Sequence, residues 1–467
     1  MQRFTNLQFL VVFAFATCGI AAQEPSKFVD RIKQFDKNGD GKLTKDELPH
    51  GLKPFFERMD ANNDGVATLD ETAKFVQGGK GQTKRDGVEV KPDPKNERKH
   101  GEEAAKAGLD PILLAKLDAI MQGHCDANNV AGIIGLVVCD GHVGYHETFG
   151  FHDIELKKPM EKDAIFRLMS MTKPVIAACA LTLYDEGKFG LDDQISKFLP
   201  EWKDPKVMEG DKLVPAKNPI TPRMLMSHSS GLYYGGNAKG NNVAAVAFQA
   251  TRKKGATLKD FSEALANEPL KFHPGEGYQY GLSIDILGRY IEAVAGKPLD
   301  AVMKEKLFTP LNLTDTDFWL PKDKVGRLAT LYRQPKPGVL EKGKDGESLT
   351  EKPTTFMGGH ALNGTTADYA RFCAMILGGG ELDGVRVLKK ETVDLMFQNH
   401  LKVPGQKYGL GGAVDGDGGY SWGGANGTQF WIDRKNKHYA VFMVQTQGYR
   451  SPAYTDFRRM VNEAVGK

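Results

Sequence analysis

The chain has 467 residues, of which 40% are hydrophobic and 26% are charged, and its formal net charge is only +3. This length and apolar content suffice for a large folded core, and the nearly balanced charge disfavours a nucleic-acid-binding protein. Short basic runs at 98–100 and 252–254 are typical of solvated faces, so we expect no nucleic-acid partner.

Residues 1–22 have the pattern of a secretory signal peptide. Arg3 precedes an apolar run over 9–22 that ends in the small residues Ala21 and Ala22. This run is too short for a comfortable membrane span. We therefore expect an exported protein, periplasmic or extracellular, with no membrane span after signal removal. An uncleaved N-terminal anchor helix is the alternative.

Residues 23–78 contain two copies of a pattern with the spacing of EF-hand calcium loops. Such a loop presents oxygen ligands at positions 1, 3, 5, 7 and 12, with glycine at position 6 for a sharp turn. The predicted ligands are Asp36, Asn38, Asp40, the Lys42 carbonyl and Glu47 in the first loop, and Asp60, Asn62, Asp64, the Val66 carbonyl and Glu71 in the second. The repeat predicts a small α-helical EF-hand pair that binds Ca²⁺ at about 10⁻⁴–10⁻³ M. Two polar turns without a metal are the alternative.

The composition changes after the calcium loops. Residues 79–106 are rich in Lys, Glu, Asp, Gly and Pro and have almost no large apolar side chain, which predicts a charged flexible linker. In the remaining unit, 107–467, we expect early strands at 131–138 and 143–149 to pair with late strands at 429–433 and 439–444. The middle, about 200–383, is predicted to be mostly helices and loops, which makes the unit an α+β domain.

Ser170 and Lys173 lie at the start of an apolar run, 174–184, that predicts a buried helix. Residues three apart on a helix share a face, and Pro174 is tolerated only in the first turn. A partly desolvated lysine beside a serine can take the hydroxyl proton and activate the oxygen for acyl transfer. The alternative is an exposed pair without function, because Ser-x-x-Lys is common by chance.

Two downstream segments complete a possible active site. Tyr280 is predicted on a loop before an amphipathic helix that starts near Ile284, where its phenol can pass a proton onward. Residues 420–433 predict an edge strand whose glycine-rich end lets backbone approach a ligand closely. The chain has no Gly-x-Ser-x-Gly, which disfavours an α/β-hydrolase with a Ser-Asp-His triad. We therefore expect His228, which lies beside two serines, to pack rather than to catalyse.

These elements, in this order, resemble the serine hydrolases related to class C β-lactamases, DD-peptidases and family VIII carboxylesterases. Further matching segments are 166–168, 225–232 and 273–275. The resemblance covers 107–467 and implies a β-lactamase/transpeptidase-like fold, with an antiparallel sheet flanked by helices and a helical lobe. It implies Ser170 as the nucleophile, Lys173 and Tyr280 as the proton-handling pair, and the N–H groups of Ser170 and Ala425 as the oxyanion hole.

Departures from the family pattern bear on the substrate. The chain has Trp422, Gly423 and Gly424 where penicillin-recognising relatives carry Lys-Thr-Gly, and Leu282 where many have the asparagine of Tyr-x-Asn. Both changes remove polar groups that would bind a carboxylate or an amide, and Trp422 offers an apolar wall to an acyl or alkyl group.

We predict a carboxylesterase that acts on small neutral esters through an acyl-enzyme and needs no cofactor for catalysis. The alternatives are a β-lactamase or DD-peptidase acting on lactams or cell-wall peptides and, from another class, a non-catalytic calcium-dependent ligand-binding protein. The substrate partner is thus a small-molecule ester or lactam. The sequence assigns no oligomeric state.

Overall fold

The computed structural model describes residues 40, 42–44, 47, 60, 64–68, 71, 94–210, 212–236, 242–344 and 349–466, without the side chains of 94–99. The chain divides into two compact units, Met1–Glu89 and Val90–Lys467. The predicted signal peptide, 1–22, lies outside the described residues. Within the described part of the chain, none of the helices is long and apolar enough to cross a membrane.

The first unit contains one short antiparallel pair, β1 (Lys42–Leu43) with β2 (Ala67–Thr68). Leu43 lies opposite Ala67, and both side chains are fully buried. These two residues occupy the position after the seventh ligand position in each predicted calcium loop. The pairing therefore joins the two loops at equivalent points.

The second unit is built around a seven-stranded sheet in the order β14-β15-β16-β17-β3-β4-β5, with every pairing antiparallel. Its strands are β3 (Gly132–Cys139), β4 (His142–Asp153), β5 (Lys158–Pro159), β14 (Ala413–Val414), β15 (Gly419–Gly423), β16 (Gln429–Asp433) and β17 (His438–Met443). The early strand β3 pairs with the late strand β17, as the sequence predicts. The α+β class is confirmed.

Shorter strands lie outside this sheet. They are β6 (Ile165–Arg167), β7 (Lys206–Glu209), β8 (Lys212–Pro215), β9 (Tyr332–Lys336), β10 (Val339–Lys342), β11 (Asn363–Thr365), β12 (Glu381–Leu382), β13 (Val385–Arg386) and β18 (Thr446–Gln447). β6 pairs with β11, β7 with β8, and β12 with β13, while β9 lies between β10 and β18. The middle of the chain therefore contains hairpins as well as the predicted helices and loops.

The α-helices are α1 (Pro94–Lys106), α2 (Pro111–Asp126), α3 (Thr172–Asp185), α4 (Pro222–Met226), α5 (Val243–Ala250), α6 (Leu258–Ala266), α7 (Ser283–Ala295), α8 (Leu299–Met303), α9 (Thr366–Leu377), α10 (Lys390–Met396) and α11 (Ala453–Val465). Capping residues define the ends of several of these helices. Asp110 caps α2 by accepting from the Ile112 and Leu113 N–H groups, and Pro111 takes the first helical position. α7 ends at Gly296, which has a left-handed φ of 66°.

The sheet separates two hydrophobic cores. Alternate residues of β3 face opposite sides, as the pleat requires. Leu136 and Val138 pack with α3 and the helical lobe. Ile133 and Val137 pack with residues of α2 and α11. Because α3 is buried on nearly all sides, the residues at its start are held rigidly between the sheet and the lobe.

The predicted flexible linker, 79–106, is wrong over its last thirteen residues, which form α1. His100 is buried, and its Nε2 lies 2.8 Å from Asp118 Oδ2. Tyr145 donates a hydrogen bond of 2.9 Å to the other carboxylate oxygen, and Ala104 is fully buried. The charge-rich composition gives no sign of a helix that buries small residues and one paired histidine, because the partners of that helix lie outside it, in α2 and β4.

Candidate active site

Ser170 lies in a 3₁₀ turn, Met169–Met171, that runs directly into α3. Met169, just before it, has a left-handed φ of 50°, an uncommon conformation for a side chain of this size. Lys173 is in the first helical turn and fully buried, and its Nζ lies 3.1 Å from Ser170 Oγ. The predicted pair therefore shares a helix face, with the amine removed from solvent.

The Tyr280 hydroxyl donates a hydrogen bond of 2.6 Å to Ser170 Oγ. Lys173 Nζ lies 4.7 Å from the centre of the Tyr280 ring. The fold thus brings together three side chains from two distant segments. The serine oxygen has an amine on one side and a phenol on the other, the arrangement that proton transfer to and from a nucleophile requires.

The loop that carries Tyr280 is hydrogen-bonded to the turn around His228. The Gln279 N–H donates 2.9 Å to the His228 carbonyl. A Cβ at Gly281 would lie 2.4 Å from the Tyr233 Cα, so only glycine permits this close approach. Sequence and packing together place the phenol over Ser170.

His228 packs and takes no part in a triad. Its ring is fully buried 4.8 Å from the Tyr280 ring, and neither ring nitrogen has a hydrogen-bond partner among the described residues. Burial and the charge of Lys173 hold its pKa well below the usual range of histidine, so the ring is neutral. The expected packing role agrees with this environment.

Sequence reasoning missed a second layer of contacts beneath Lys173. Its Nζ donates 2.6 Å to the Gly359 carbonyl, and the Gly359 N–H donates 2.8 Å to Asp285 Oδ1. Asp285 lies on α7 and is fully buried. The available signal was a charged residue on the apolar face of a helix, but nothing local connected it to Gly359.

The glycine-rich turn 424–428 closes against the strand that precedes the nucleophile. A Cβ at Gly424 would lie 2.4 Å from the Leu168 carbonyl oxygen. Ala425, at the tip of the turn, is exposed, and its N–H has no backbone acceptor within the described ranges. This N–H is thus available to an external acceptor.

The predicted edge strand is in fact the second strand of the sheet. β14 pairs with β15 along Tyr420 and Ser421 only. Trp422 and Gly423 extend past this pairing, so the strand end that carries the predicted substrate-binding residues is free on one side. The prediction is wrong for the strand as a whole, because the two-residue strand β14 (Ala413–Val414) pairs with the other end of β15.

An aromatic cluster surrounds Tyr280. The ring centroids of Trp422 and Tyr280 are 5.5 Å apart, those of Tyr408 and Trp422 are 5.0 Å apart, and those of Tyr234 and Tyr280 are 6.0 Å apart. The Trp422 indole nitrogen and the Tyr408 hydroxyl are buried without a hydrogen-bond partner in the described part of the chain. The resulting wall is aromatic and suits an apolar substrate group.

The described parts of the two predicted calcium loops have equivalent internal contacts. Glu47 Oε2 accepts from the Thr44 N–H and hydroxyl, and Glu71 Oε2 accepts in the same way from Thr68. Asp60 accepts from the N–H groups of Asp64 and Gly65, at 3.2 and 2.9 Å. Of the predicted ligands, the structure describes Asp40, Lys42, Glu47, Asp60, Asp64, Val66 and Glu71, whereas Asp36, Asn38 and Asn62 lie outside the described residues.

The predicted donors are carboxylate, amide and backbone carbonyl oxygens, which is the kind of ligand that Ca²⁺ takes. Among the described residues, no group of three or more His, Cys, Asp or Glu side chains is placed to hold a metal ion.

Comparison with known proteins identifies the family of the chain. A family model described as Beta-lactamase matches residues 117–464, and one described as EF hand matches residues 28–48. Esterase EstB of Burkholderia gladioli is 28% identical over 377 residues, which cover 70% of this chain and 91% of EstB. Lovastatin esterase of Penicillium rubens is 30% identical over 379 residues, which cover 70% of this chain and 92% of that enzyme.

Solved structures have the same fold. The structure of EstCE1, described as a hydrolase with promiscuous acyltransferase activity, has a TM-score of 0.65 and 28% identity, and the match covers 75% of this chain and 98% of EstCE1. The predicted β-lactamase/transpeptidase-like fold is confirmed. The chain belongs to the beta-lactamase family of serine hydrolases.

Proposed function

We propose that this protein is an exported carboxylesterase that hydrolyses small neutral esters through an acyl-enzyme on Ser170. The observation that carries the proposal is the position of Ser170 Oγ, 3.1 Å from Lys173 Nζ and 2.6 Å from the Tyr280 hydroxyl. A serine oxygen between a buried amine and a phenol has both a proton acceptor and a proton donor within reach.

The proposed reaction has two steps. In the first, Ser170 Oγ attacks the ester carbonyl carbon while its proton passes to a neutral Lys173. Tyr280 delivers a proton to the leaving alcohol, and the carbon–oxygen bond to that alcohol breaks. In the second, water attacks the acyl carbon and gives one proton to the Tyr280 phenolate. The acyl–serine bond breaks, and protonated Lys173 returns its proton to Ser170 Oγ. The carboxylic acid then leaves.

The developing oxyanion needs two donors near Ser170. We assign this role to the N–H groups of Ser170 and Ala425. Support comes from the exposed Ala425 turn, which packs against the Leu168 carbonyl through Gly424. Fixed donors of this kind are worth about 10²–10³ in rate for each donor.

The choice of a neutral ester rests on Trp422, Gly423 and Gly424. These residues replace the Lys-Thr-Gly segment that binds a substrate carboxylate in penicillin-recognising relatives. The half-buried rings of Trp422 and Tyr234 offer an apolar surface instead, and the buried Tyr408 ring packs against Trp422. The names of the relatives EstB and lovastatin esterase support the same choice.

The test compares three substrates with one mature protein: a short-chain aryl ester, a chromogenic cephalosporin and a D-Ala-D-Ala peptide. We expect the ester to have the highest kcat/KM. Faster cephalosporin turnover would favour the β-lactamase alternative, and faster peptide turnover the DD-peptidase.

A fluorophosphonate probe separates an enzyme from a binding protein. The intact mass of the wild type should increase by one adduct, and Ser170→Ala should gain none. If neither the wild type nor Ser170→Ala gains an adduct, the result would support the alternative function, a non-catalytic calcium-dependent binding protein.

We also propose that residues 23–78 bind Ca²⁺ at about 10⁻⁴–10⁻³ M, as extracellular EF-hand modules do. The EF hand match over 28–48 and the equivalent contacts of Glu47 and Glu71 support this. Calorimetric titration of the mature chain should detect binding that the double variant Glu47→Gln/Glu71→Gln weakens. No binding at millimolar Ca²⁺ would refute the proposal.

Export is proposed from the sequence of residues 1–22. The protein recovered from the periplasm or the medium should begin after Ala21 or Ala22. N-terminal sequencing that finds Met1 on membrane-bound protein would favour the uncleaved anchor.

A further inference from the structure

Asp285 is a buried carboxylate that the proposed reaction does not use. Its side chain is fully buried on α7, and Oδ1 accepts from the Gly359 N–H at 2.8 Å. Oδ2 is buried and has no hydrogen-bond partner among the described residues. A buried carboxylate with one oxygen that lacks a hydrogen bond lowers the stability of the folded state. A functional role would explain why the chain keeps it.

Gly359 links this carboxylate to the site. Its carbonyl oxygen accepts from Lys173 Nζ at 2.6 Å. A Cβ at Gly359 would lie 2.6 Å from Asp285 Oδ2, and one at Gly358 would lie 2.5 Å from the Ile284 carbonyl oxygen. The two glycines therefore pack directly on the first turn of α7. Gly359 is held by Asp285 on its N–H side and meets Lys173 on its carbonyl side.

We propose that Asp285 is a positioning residue for Lys173. By holding the Gly359 N–H, it places the Gly359 carbonyl where that carbonyl takes one N–H of Lys173. The lysine nitrogen is thereby oriented toward Ser170. This inference rests on the proposed function of Lys173 as the base.

The groups that face this pair are Tyr280, His228, Tyr234 and His360. Burial keeps the pKa of His228 well below its usual range and that of Tyr234 well above it, so both are neutral near pH 7. Burial also raises the pKa of Asp285, while the charges of His360 and Lys173 oppose that rise.

The test uses the pH dependence of kcat/KM for an aryl ester. Asp285→Asn keeps an acceptor for the Gly359 N–H but removes the charge. We expect the acidic limb of the profile to move to lower pH, because the buried site loses a negative charge. His360→Gln changes the other titratable neighbour but keeps Asp285, so its acidic limb should stay near that of the wild type, at higher pH than the limb of Asp285→Asn.

Gly359→Ala perturbs the same contact while keeping the charge. The added Cβ must displace the carboxylate, so kcat should fall by about tenfold or more from misplacement of Lys173, with KM unchanged. Asp118→Asn is the matched control, because it removes a buried carboxylate from the core on the other face of the sheet. Its pH profile should match that of the wild type.

Two outcomes are distinguishable. If Asp285→Asn and Gly359→Ala both keep the wild-type pH profile and kcat, the positioning role is overturned and the Ser170 chemistry stands. If Lys173→Ala turns over the ester like the wild type, the role of Lys173 as the base fails and the positioning role fails with it.

Discussion

The Thr428 hydroxyl donates a hydrogen bond of 3.0 Å to the Leu168 carbonyl oxygen. Leu168 precedes the nucleophile turn, and Thr428 closes the turn that presents the Ala425 N–H. The Gly424 N–H donates 2.7 Å to the Thr428 carbonyl, which tightens the same turn. A single buried hydroxyl therefore joins the two segments that carry the proposed oxyanion donors.

Replacement of Thr428 by valine should impair catalysis more than binding. Thr428→Val keeps the shape of the side chain but removes the donor to Leu168. The turn that carries the Ala425 N–H is then no longer fixed to the segment that precedes Ser170. We expect kcat for an aryl ester to fall by about tenfold, less than the loss of a whole oxyanion donor, with KM little changed. Thr428→Ser keeps the hydroxyl and should retain most of the wild-type kcat. Equal kcat values for the valine and serine variants would contradict the role of the hydroxyl.

Lys173→Ala should remove the base while leaving the fold intact. Its amine lies 3.1 Å from Ser170 Oγ and is fully buried. We expect kcat/KM to fall by about 10²–10⁴-fold, the usual contribution of general base catalysis. Circular dichroism should show a native spectrum. Lys188→Ala, which changes an exposed lysine after α3, should have wild-type activity. Near-normal turnover by Lys173→Ala would leave the base elsewhere.

Trp422 is expected to set the preference for neutral substrates. Trp422→Lys places a cation on the strand where penicillin-recognising relatives carry one, and it removes the ring that packs 5.5 Å from Tyr280. The ratio of cephalosporin to aryl ester turnover should therefore rise. Trp422→Phe keeps an apolar aromatic surface, and its ratio should stay near that of the wild type. Ester turnover that is unchanged in Trp422→Lys would show that the acyl group binds elsewhere.

Local signals account for what the sequence could predict. Ser170, Lys173 and Tyr280 each lie in a short motif, and the structure brings the three together. Asp285 and Gly359 carry no such motif, because their role arises only when α7 and a distant glycine pair meet. The same reason explains the error over α1, where an ordinary charge-rich composition folds because His100 meets a carboxylate from the next helix.

The buried contact that anchors this region should contribute to stability. Tyr145 donates to Asp118, and both side chains are buried. Tyr145→Phe should lower the free energy of unfolding by about 1–3 kcal/mol, because a buried carboxylate loses a donor. Tyr290→Phe is the matched control, since the Tyr290 hydroxyl is buried without a partner among the described residues. Urea denaturation should show a smaller loss for Tyr290→Phe than for Tyr145→Phe, and the reverse order would contradict the prediction.

Asp317 should make stability depend on pH. Burial raises its pKa to about 6, whereas an aspartate in an unfolded chain titrates near pH ~3.9. Between these values the folded state binds more protons than the unfolded state, so stability falls as pH rises through this window. Asp317→Asn removes that titration. The unfolding free energy of the variant minus that of the wild type should therefore increase from pH 4 to pH 7 and then level off. Asp323→Asn changes an exposed carboxylate nearby, and its difference from the wild type should stay constant over the same range. Urea denaturation at each pH measures both differences, and parallel curves for the wild type and Asp317→Asn would show that the folded protein leaves this carboxyl unperturbed.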